Sequence, residues 1–213
     1  MTIVSIEGNI GSGKSTLFNL LKQQYAGRED VVFLSEPIEQ WREFTDDVGR
    51  DIFTLFNNYT SNYSLPFQLL VMHTEFTRIA KAQMMYPDAL IICERSIQTA
   101  MDVFAEALRR RGGMNEIEYN VLKLYGDHLR AEVPRSGIIY VNTPPSVCNT
   151  RIISRNREGE SIGMTYLQHL DDLYSDALET AETEQEPLVL QGNCSAVNNL
   201  EHVIQYLEEC HYI

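Results

Sequence analysis

Positive charge is scarce in this 213-residue sequence: 17 lysines and arginines face 30 aspartates and glutamates, for a formal net charge of −13. Nucleic-acid surfaces are built on a basic face, so this balance excludes DNA or RNA as the expected partner. Long hydrophobic runs are missing too. No apolar stretch approaches the roughly 18 residues that a membrane span needs, which removes the membrane as an expected partner. Cysteine is sparse: Cys93, Cys148, Cys194 and Cys210 form no C-x-x-C pair, which argues against a zinc site and a disulfide framework. The five histidines show no metal-ligand spacing either. No leader pattern precedes the first strand-like run, so the expected compartment is the cytoplasm. The length suits one α/β domain spanning 1–213.

What is present begins almost at once with Gly8-Asn9-Ile10-Gly11-Ser12-Gly13-Lys14-Ser15-Thr16. A β-branched run, Thr2 to Ile6, precedes it, and a helical pattern carrying Leu17, Leu20 and Leu21 follows. Strand, glycine loop and helix in that order give G-x-x-x-x-G-K-[ST] its mechanism. Backbone N–H groups converge on phosphate oxygens, and the positive end of the helix adds to them. Lys14 is placed to bridge the β- and γ-phosphates, and the Ser15 hydroxyl to ligate Mg²⁺. The expectation is a bound nucleoside triphosphate.

Further along, Val31–Ser35, Ala89–Cys93, Gly137–Asn142 and Leu188–Leu190 read as short buried strands. Between them, helical periodicity covers Val48–Asn57, Pro66–Met85, Ile97–Arg110, Asn115–Arg130, a stretch from Ser146, Met164–Ala181 and Asn198–Cys210. A proline is at home in a first helical turn, so the long central helix is expected to start near Pro66. Strands alternating with helices predict a five-stranded parallel sheet covered on both faces.

Ligands of such sheets gather beyond the carboxyl ends of the strands. Three features fall there: Glu36-Pro37, Glu94-Arg95-Ser96, and Arg151-x-x-x-Arg155-x-Arg157 leading to Glu158-Gly159-Glu160. A carboxylate after the second strand can take the proton of an attacking hydroxyl. An arginine-rich segment closing over phosphates supplies charge and excludes water. A second basic run, Arg109-Arg110-Arg111, has no such placement.

With these motifs in this order, the chain resembles the deoxyribonucleoside kinase family. The resemblance rests on Gly8 to Thr16, on Glu36-Pro37-Ile38 with Trp41, on Phe67-Gln68, and on Glu94-Arg95-Ser96. It continues in Met114-Asn115-Glu116 with Glu118-Tyr119, and in Arg151 to Glu160 with Tyr166-Leu167. It implies a P-loop kinase fold with a lid at about 151–163, ATP as phosphate donor with Mg²⁺, and a small-molecule deoxynucleoside acceptor. Glu36 then corresponds to the general base on the 5′-hydroxyl, Arg95 to the arginine that steers it, and Glu94 to the acid near Mg²⁺. Gln68 corresponds to the amide that reads the base, and Trp41 and Phe104 to the walls of its pocket. Arg151, Arg155 and Arg157 match the lid arginines, and Glu160 the acid that reaches the sugar 3′-hydroxyl. The family also implies a homodimer through the helices near Pro66–Met85 and Asn115–Arg130, and inhibition by the end-product triphosphate.

Gln68, Met72 and Glu75 share one helix face. The cytidine- and purine-selecting relatives carry an arginine at the position of Glu75 and an aspartate at that of Ala100. A small Ala100 leaves room for a 5-methyl group, which points to thymidine ahead of deoxycytidine. The family's 3′-hydroxyl tyrosine is replaced by Asn57, with Tyr59 or Tyr63 as other candidates. Rival readings are a thymidylate kinase, a nucleotide-dependent switch, and a catalytically silent subunit of the same fold. Glu36, placed to activate a neutral hydroxyl, weighs against the first, Gln68 between two aromatics against the second, and the presence of Lys14, Ser15, Glu36, Arg95 and the lid arginines against the third.

Overall fold

Apolar runs of four to six residues become strands here because helices cover both faces of the sheet they form. The computed structural model describes residues 2–157 and 162–213. Its strands are β1 (Thr2–Glu7), β2 (Val31–Leu34), β3 (Leu90–Glu94), β4 (Gly137–Asn142) and β5 (Leu188–Gln191). They lie in the order β2-β3-β1-β4-β5, all parallel, as the alternation of elements predicts. The register sets Ile6 beside Glu94, and Leu34 beside Cys93. The ends of β1, β2 and β3 therefore stop together at one rim of the sheet.

Side chains alternate between the two faces. On one face Ile3, Ile91 and Cys93 pack with Met72 and Ile79 of α4 (Thr60–Met85) and with Leu122 and Leu129 of α7 (Glu116–Glu132). On the other, Val4, Ile6 and Ile92 pack with Leu17, Phe18 and Leu21 of α1 (Lys14–Gln24) and with Val203 and Leu207 of α10 (Ala196–Glu209). The remaining helices are α2 (Ile38–Arg42), α3 (Ile52–Asn58), α5 (Ile97–Thr99), α6 (Glu106–Arg110), α8 (Pro145–Arg155) and α9 (Met164–Glu179). α7 starts where its capping box puts it: Asn115 accepts from the backbone of Glu118, whose side chain accepts from the backbone of Asn115.

Two helix starts differ from the expectation. α4 begins at Thr60, not near Pro66, and takes the proline into its interior. The missing N–H of Pro66 leaves the Asn62 carbonyl without its intrahelical partner. Both residues are exposed, so that carbonyl lies where solvent can reach it and the helix runs on. α3 begins at Ile52 because Asp51 caps it, accepting from Thr54 N at 2.9 Å. The residues before it form a turn closed by the Thr45–Asp51 bridge.

Between α5 and α6 the chain winds as a π-helix, Ala100–Ala105. Such i→i+5 turns concentrate at functional sites, and this one carries Ala100 and Phe104.

Ile92 is fully buried at the sheet centre, whereas Ile153 on α8 is 68% exposed. Ile92→Ala should lower unfolding stability by about 2–5 kcal/mol, and Ile153→Ala by no more than about 0.5 kcal/mol, read from urea titrations. Equal losses would mean that the sheet faces are not packed as described.

Candidate active site

The glycine loop leaves β1 with a shape that side chains would block. Gly8 has φ +149°, and a Cβ there would lie 2.8 Å from the Val141 carbonyl. Gly11 has φ +80°, and its Cβ would meet the Cys148 carbonyl at 2.6 Å. Only glycine fits both positions. The loop is tied down on its outer side. Asn9 is buried and donates from Nδ2 to the Leu167 carbonyl at 2.9 Å, and its side-chain oxygen Oδ1 accepts from Ile10 N at 2.8 Å. Thr143 and Arg151 both donate to the Ser12 carbonyl, at 2.8 and 2.7 Å. Gly13 then opens α1, with Thr16 exposed on its first turn.

Charged side chains converge where β1, β2 and β3 end. Lys14 is 5% exposed, with Nζ 3.9 Å from Glu36 Oε2 and 3.7 Å from Glu94 Oε1. Burial and the neighbouring Arg95 lower its pKa, against the opposing pull of Glu36 and Glu94. Ser15 donates to Glu94 Oε1 at 2.5 Å. Arg95 donates from Nε to Glu36 Oε1 at 2.6 Å, and from Nη1 to the Gly8 carbonyl at 3.1 Å and to the Tyr174 hydroxyl. Its guanidinium lies 4.5 Å from the centre of the Phe104 ring, a cation–π contact. Arg95 also adopts φ 72°, a left-handed conformation that a non-glycine residue holds only where its surroundings enforce it.

The Glu36 carboxyl feels two opposed influences. Burial pushes its pKa up, but Arg95 and Lys14, together with the hydrogen bond from Arg95, outweigh burial and hold it below the usual carboxylate range. It is therefore an anion at neutral pH, able to accept a proton. Behind this row Ser96 donates to Glu7 Oε1 at 2.7 Å, and Arg135 lies 3.6 Å from the same oxygen.

A cavity of about 590 Å³ opens from the charged row, within the range of ligand pockets. Lys14, Ser15, Glu36, Glu94 and Arg95 line its polar end. Trp41, Asn57, Gln68, Met72, Ala100 and Phe104 line the other. Trp41 is held edge-on by Nε1 donating to Thr74 Oγ1 at 2.9 Å, and it meets Phe67 at 5.6 Å. Asn57 Nδ2 donates to the Phe53 carbonyl at 2.8 Å. Tyr59 and Tyr63 are not among the lining residues. Glu75 neither points to solvent nor simply closes on Arg78. It is 6% exposed, contacts Arg78 at 3.4 Å and also lines the cavity.

Of the arginines expected over the phosphates, Arg155 and Arg157 line the cavity. Arg151 does not: its two terminal nitrogens donate to the Ser12 and Gly192 carbonyls, at 2.7 and 2.8 Å. Its place is against the outside of the loop. Glu160 falls outside the described residues. The sequence reading missed Arg111, which lines the cavity with its guanidinium 4.8 Å from the Tyr166 ring centre. It also missed Glu7, Arg135 and Tyr174, which stand behind Arg95. For Arg111 the basic run was a signal; for the other three there was none.

A family model described as deoxynucleoside kinase matches residues 4–209. Similar proteins include mitochondrial thymidine kinase 2 of Homo sapiens, 31% identical over 180 residues, which are 83% of this chain and 64% of that protein. A probable deoxycytidine kinase of fowlpox virus is 32% identical over 200 residues, 89% of this chain and 77% of its own length. The thymidine kinase of Ictalurid herpesvirus 1 is 32% identical over 182 residues, 84% of this chain and 75% of the viral protein. The chain thus spans just under two thirds of the length of the human relative.

Arg95 is the principal counterion of Glu36. In an Arg95→Met variant the Glu36 carboxyl should titrate at a higher pH than in the wild type, because burial is then opposed only by the more distant Lys14 and by Arg157. Carbon-13 NMR of the carboxyl resonances measures this directly. An unchanged midpoint would show that Arg95 does not control the charge of Glu36.

Proposed function

Because the chain belongs to the deoxynucleoside kinase family, we propose that it transfers the γ-phosphoryl group of ATP to the 5′-hydroxyl of a pyrimidine deoxynucleoside, thymidine ahead of deoxycytidine. The observation that carries this reading is a single cavity with two chemically distinct ends. A phosphate loop and its cations stand at one end, and an aromatic slot with one amide, Gln68, stands at the other. Glu36 stands with Lys14 and Arg95 on the cavity wall.

In this reading Glu36 accepts the proton of the 5′-hydroxyl, and Arg95 holds that carboxylate and orients the acceptor. Lys14, Arg155 and Arg157 surround the donor phosphates. Phosphoryl transfer needs positioning and charge rather than covalent help, and this is what these groups supply. Ser15 and Glu94 bring two hard oxygen donors together, a set that suits Mg²⁺, which keeps few protein ligands. When bound, the ion would neutralise charge on the phosphates. Gln68, 3% exposed with Oε1 lacking a protein partner, offers an acceptor and a donor to the edge of a base. Asn57, on the cavity wall, suits the sugar 3′-hydroxyl, a contact that Glu160 would share. Ala100, small and 6% exposed, leaves space beside the base for a methyl group. Ile162 and Gly163 join Arg155 and Arg157 on the cavity wall, which supports the segment 151–163 as a lid.

Two copies would meet through α4 and α7. Exposed Ile117, Val121 and Leu124 on α7, at 78, 52 and 77%, form a stripe at i, i+4 and i+7 that supports this. Sedimentation equilibrium should show a dimer at micromolar concentration, and a monomer there would rule it out.

Glu36→Gln should retain ATP binding in a calorimetric titration while kcat for the preferred nucleoside falls about 10²–10⁴-fold, the usual worth of a general base. Near-wild-type turnover at neutral pH would remove Glu36 from the mechanism. The broader test is ATP-dependent phosphorylation of thymidine, deoxycytidine, deoxyadenosine, deoxyguanosine and thymidylate, with and without EDTA. Turnover of none of the nucleosides would overturn the reading in favour of a silent member of the fold.

A further inference from the structure

One wall of the aromatic slot is carried by an element that cannot hold it alone. Trp41 lines the cavity and belongs to α2, which has five residues and no side-chain cap at its start. A helix that short is not stable by itself, so the place of the ring is set by its neighbours. Phe67 lies at its edge, 5.6 Å between centroids, and packs in turn with Phe53 and Phe56 at 6.0 and 4.6 Å. Apolar burial is non-directional, and these contacts leave the ring room to slide and tilt.

Direction comes from a hydrogen bond. The indole nitrogen of Trp41 donates to Thr74 Oγ1 at 2.9 Å, and both residues are 5% exposed. An indole has a single polar atom, a donor, so this bond is its whole polar requirement. The Thr74 hydroxyl is committed as well. Its proton goes to the Leu70 carbonyl at 2.8 Å or the Val71 carbonyl at 3.0 Å, which leaves a lone pair for the indole. Thr74 thereby bridges the ring to the turn of α4 that follows Gln68. The ring on α2 and the amide on α4, both lining the cavity, are referred to one helix backbone.

Resting on the deoxynucleoside reading above, in which Trp41 walls the base, we propose that Thr74 is a positioning residue for the acceptor. It is not among the cavity-lining residues and acts through Trp41, whose hydrogen bond fixes the width of the slot that takes the base. Valine would keep the shape of Thr74 but remove the acceptor. The buried N–H would then be unpaired, a costly state that the ring relieves by turning toward water in the cavity, where it narrows the slot.

The test separates this role from a structural one. Thr74→Val should raise KM for the preferred nucleoside about 5–50-fold, with kcat and KM for ATP within about twofold of the wild type. Thr74→Ser restores the hydroxyl and should return KM to the wild-type value, although its missing methyl group lowers stability. Trp41 is the sole tryptophan, so two signals report on it alone. Its N–H resonance should exchange slowly with solvent in the wild type, with or without nucleoside. In Thr74→Val that exchange should be faster, and the fluorescence should move to longer wavelength. An unchanged KM in Thr74→Val, or a KM raised equally in Thr74→Ser, would overturn the role of Thr74 and leave the kinase reading standing. A fall in kcat with KM for both substrates unchanged would mark a merely structural residue and overturn it too. So would a wild-type indole N–H that exchanges as fast as an exposed one, a result that needs no variant and stands if Thr74→Val fails to fold. Turnover of no nucleoside would overturn both readings together.

Discussion

Charge balance at the ends of three adjacent strands is the constraint on which this site depends. Lys14, Arg95 and Arg135 supply the cations there, and Glu7, Glu36 and Glu94 the anions, each linked to an opposite partner within 3.9 Å. Burying such groups is expensive, and removing one member of a buried pair typically costs about 3–5 kcal/mol because its partner is left uncompensated. The geometry follows from that. Arg95 holds a left-handed backbone while its guanidinium reaches Glu36, the Gly8 carbonyl and Tyr174 together. The hydrogen bond from Arg95 N to the Ile6 carbonyl, at 3.0 Å, then carries β3's pairing with β1 one residue past the strand. Sheet register and site chemistry are thus joined at a single residue.

The same balance explains why the loop is braced from behind. Arg151, which the spacing of arginines assigns to the phosphates, instead donates to two backbone carbonyls on the outer side of the glycine loop. The loop's own amides are directed inward for anions, so its outward carbonyls need donors, and Thr143 and Arg151 provide them. In this arrangement Arg151 fixes the glycine loop from its outer side.

The parts of the site that were legible in the sequence are those whose position follows from local pattern. Gly8 to Thr16 is a loop between a strand and a helix, and Glu36 and Arg95 directly follow apolar runs, so strand periodicity alone puts them at the rim. Gln68, Met72 and Glu75 share a face by helical spacing whether α4 begins at Thr60 or Pro66. What was hidden depends on distant packing. Glu7 reads as the last residue of a strand until Arg135 and Ser96 are brought to it. In the run Arg109-Arg110-Arg111, Glu106 engages the first two, and only the arrival of α9 brings Tyr166 to the third. The start of α4 was misjudged because a proline compatible with a first turn is also tolerated further in, when the carbonyl it abandons faces water.

Glu36 and Glu75 share one cavity and are driven in opposite directions, which separates their chemistry without a change of residue type. Glu36 has Arg95 at 2.6 Å and Lys14 at 3.9 Å, and these cations overcome its burial. Glu75 is more deeply buried, has Arg78 at 3.4 Å, and feels the Glu36 charge as a further obstacle to its own ionisation. The anion at the rim therefore helps to keep the acid at the base neutral. A pair of carboxyls pushed apart in this way can hold one proton acceptor and one proton donor at the same pH. Within the protein the Glu75 carboxyl is held by Arg78 at 3.4 Å and by a hydrogen bond with Cys93.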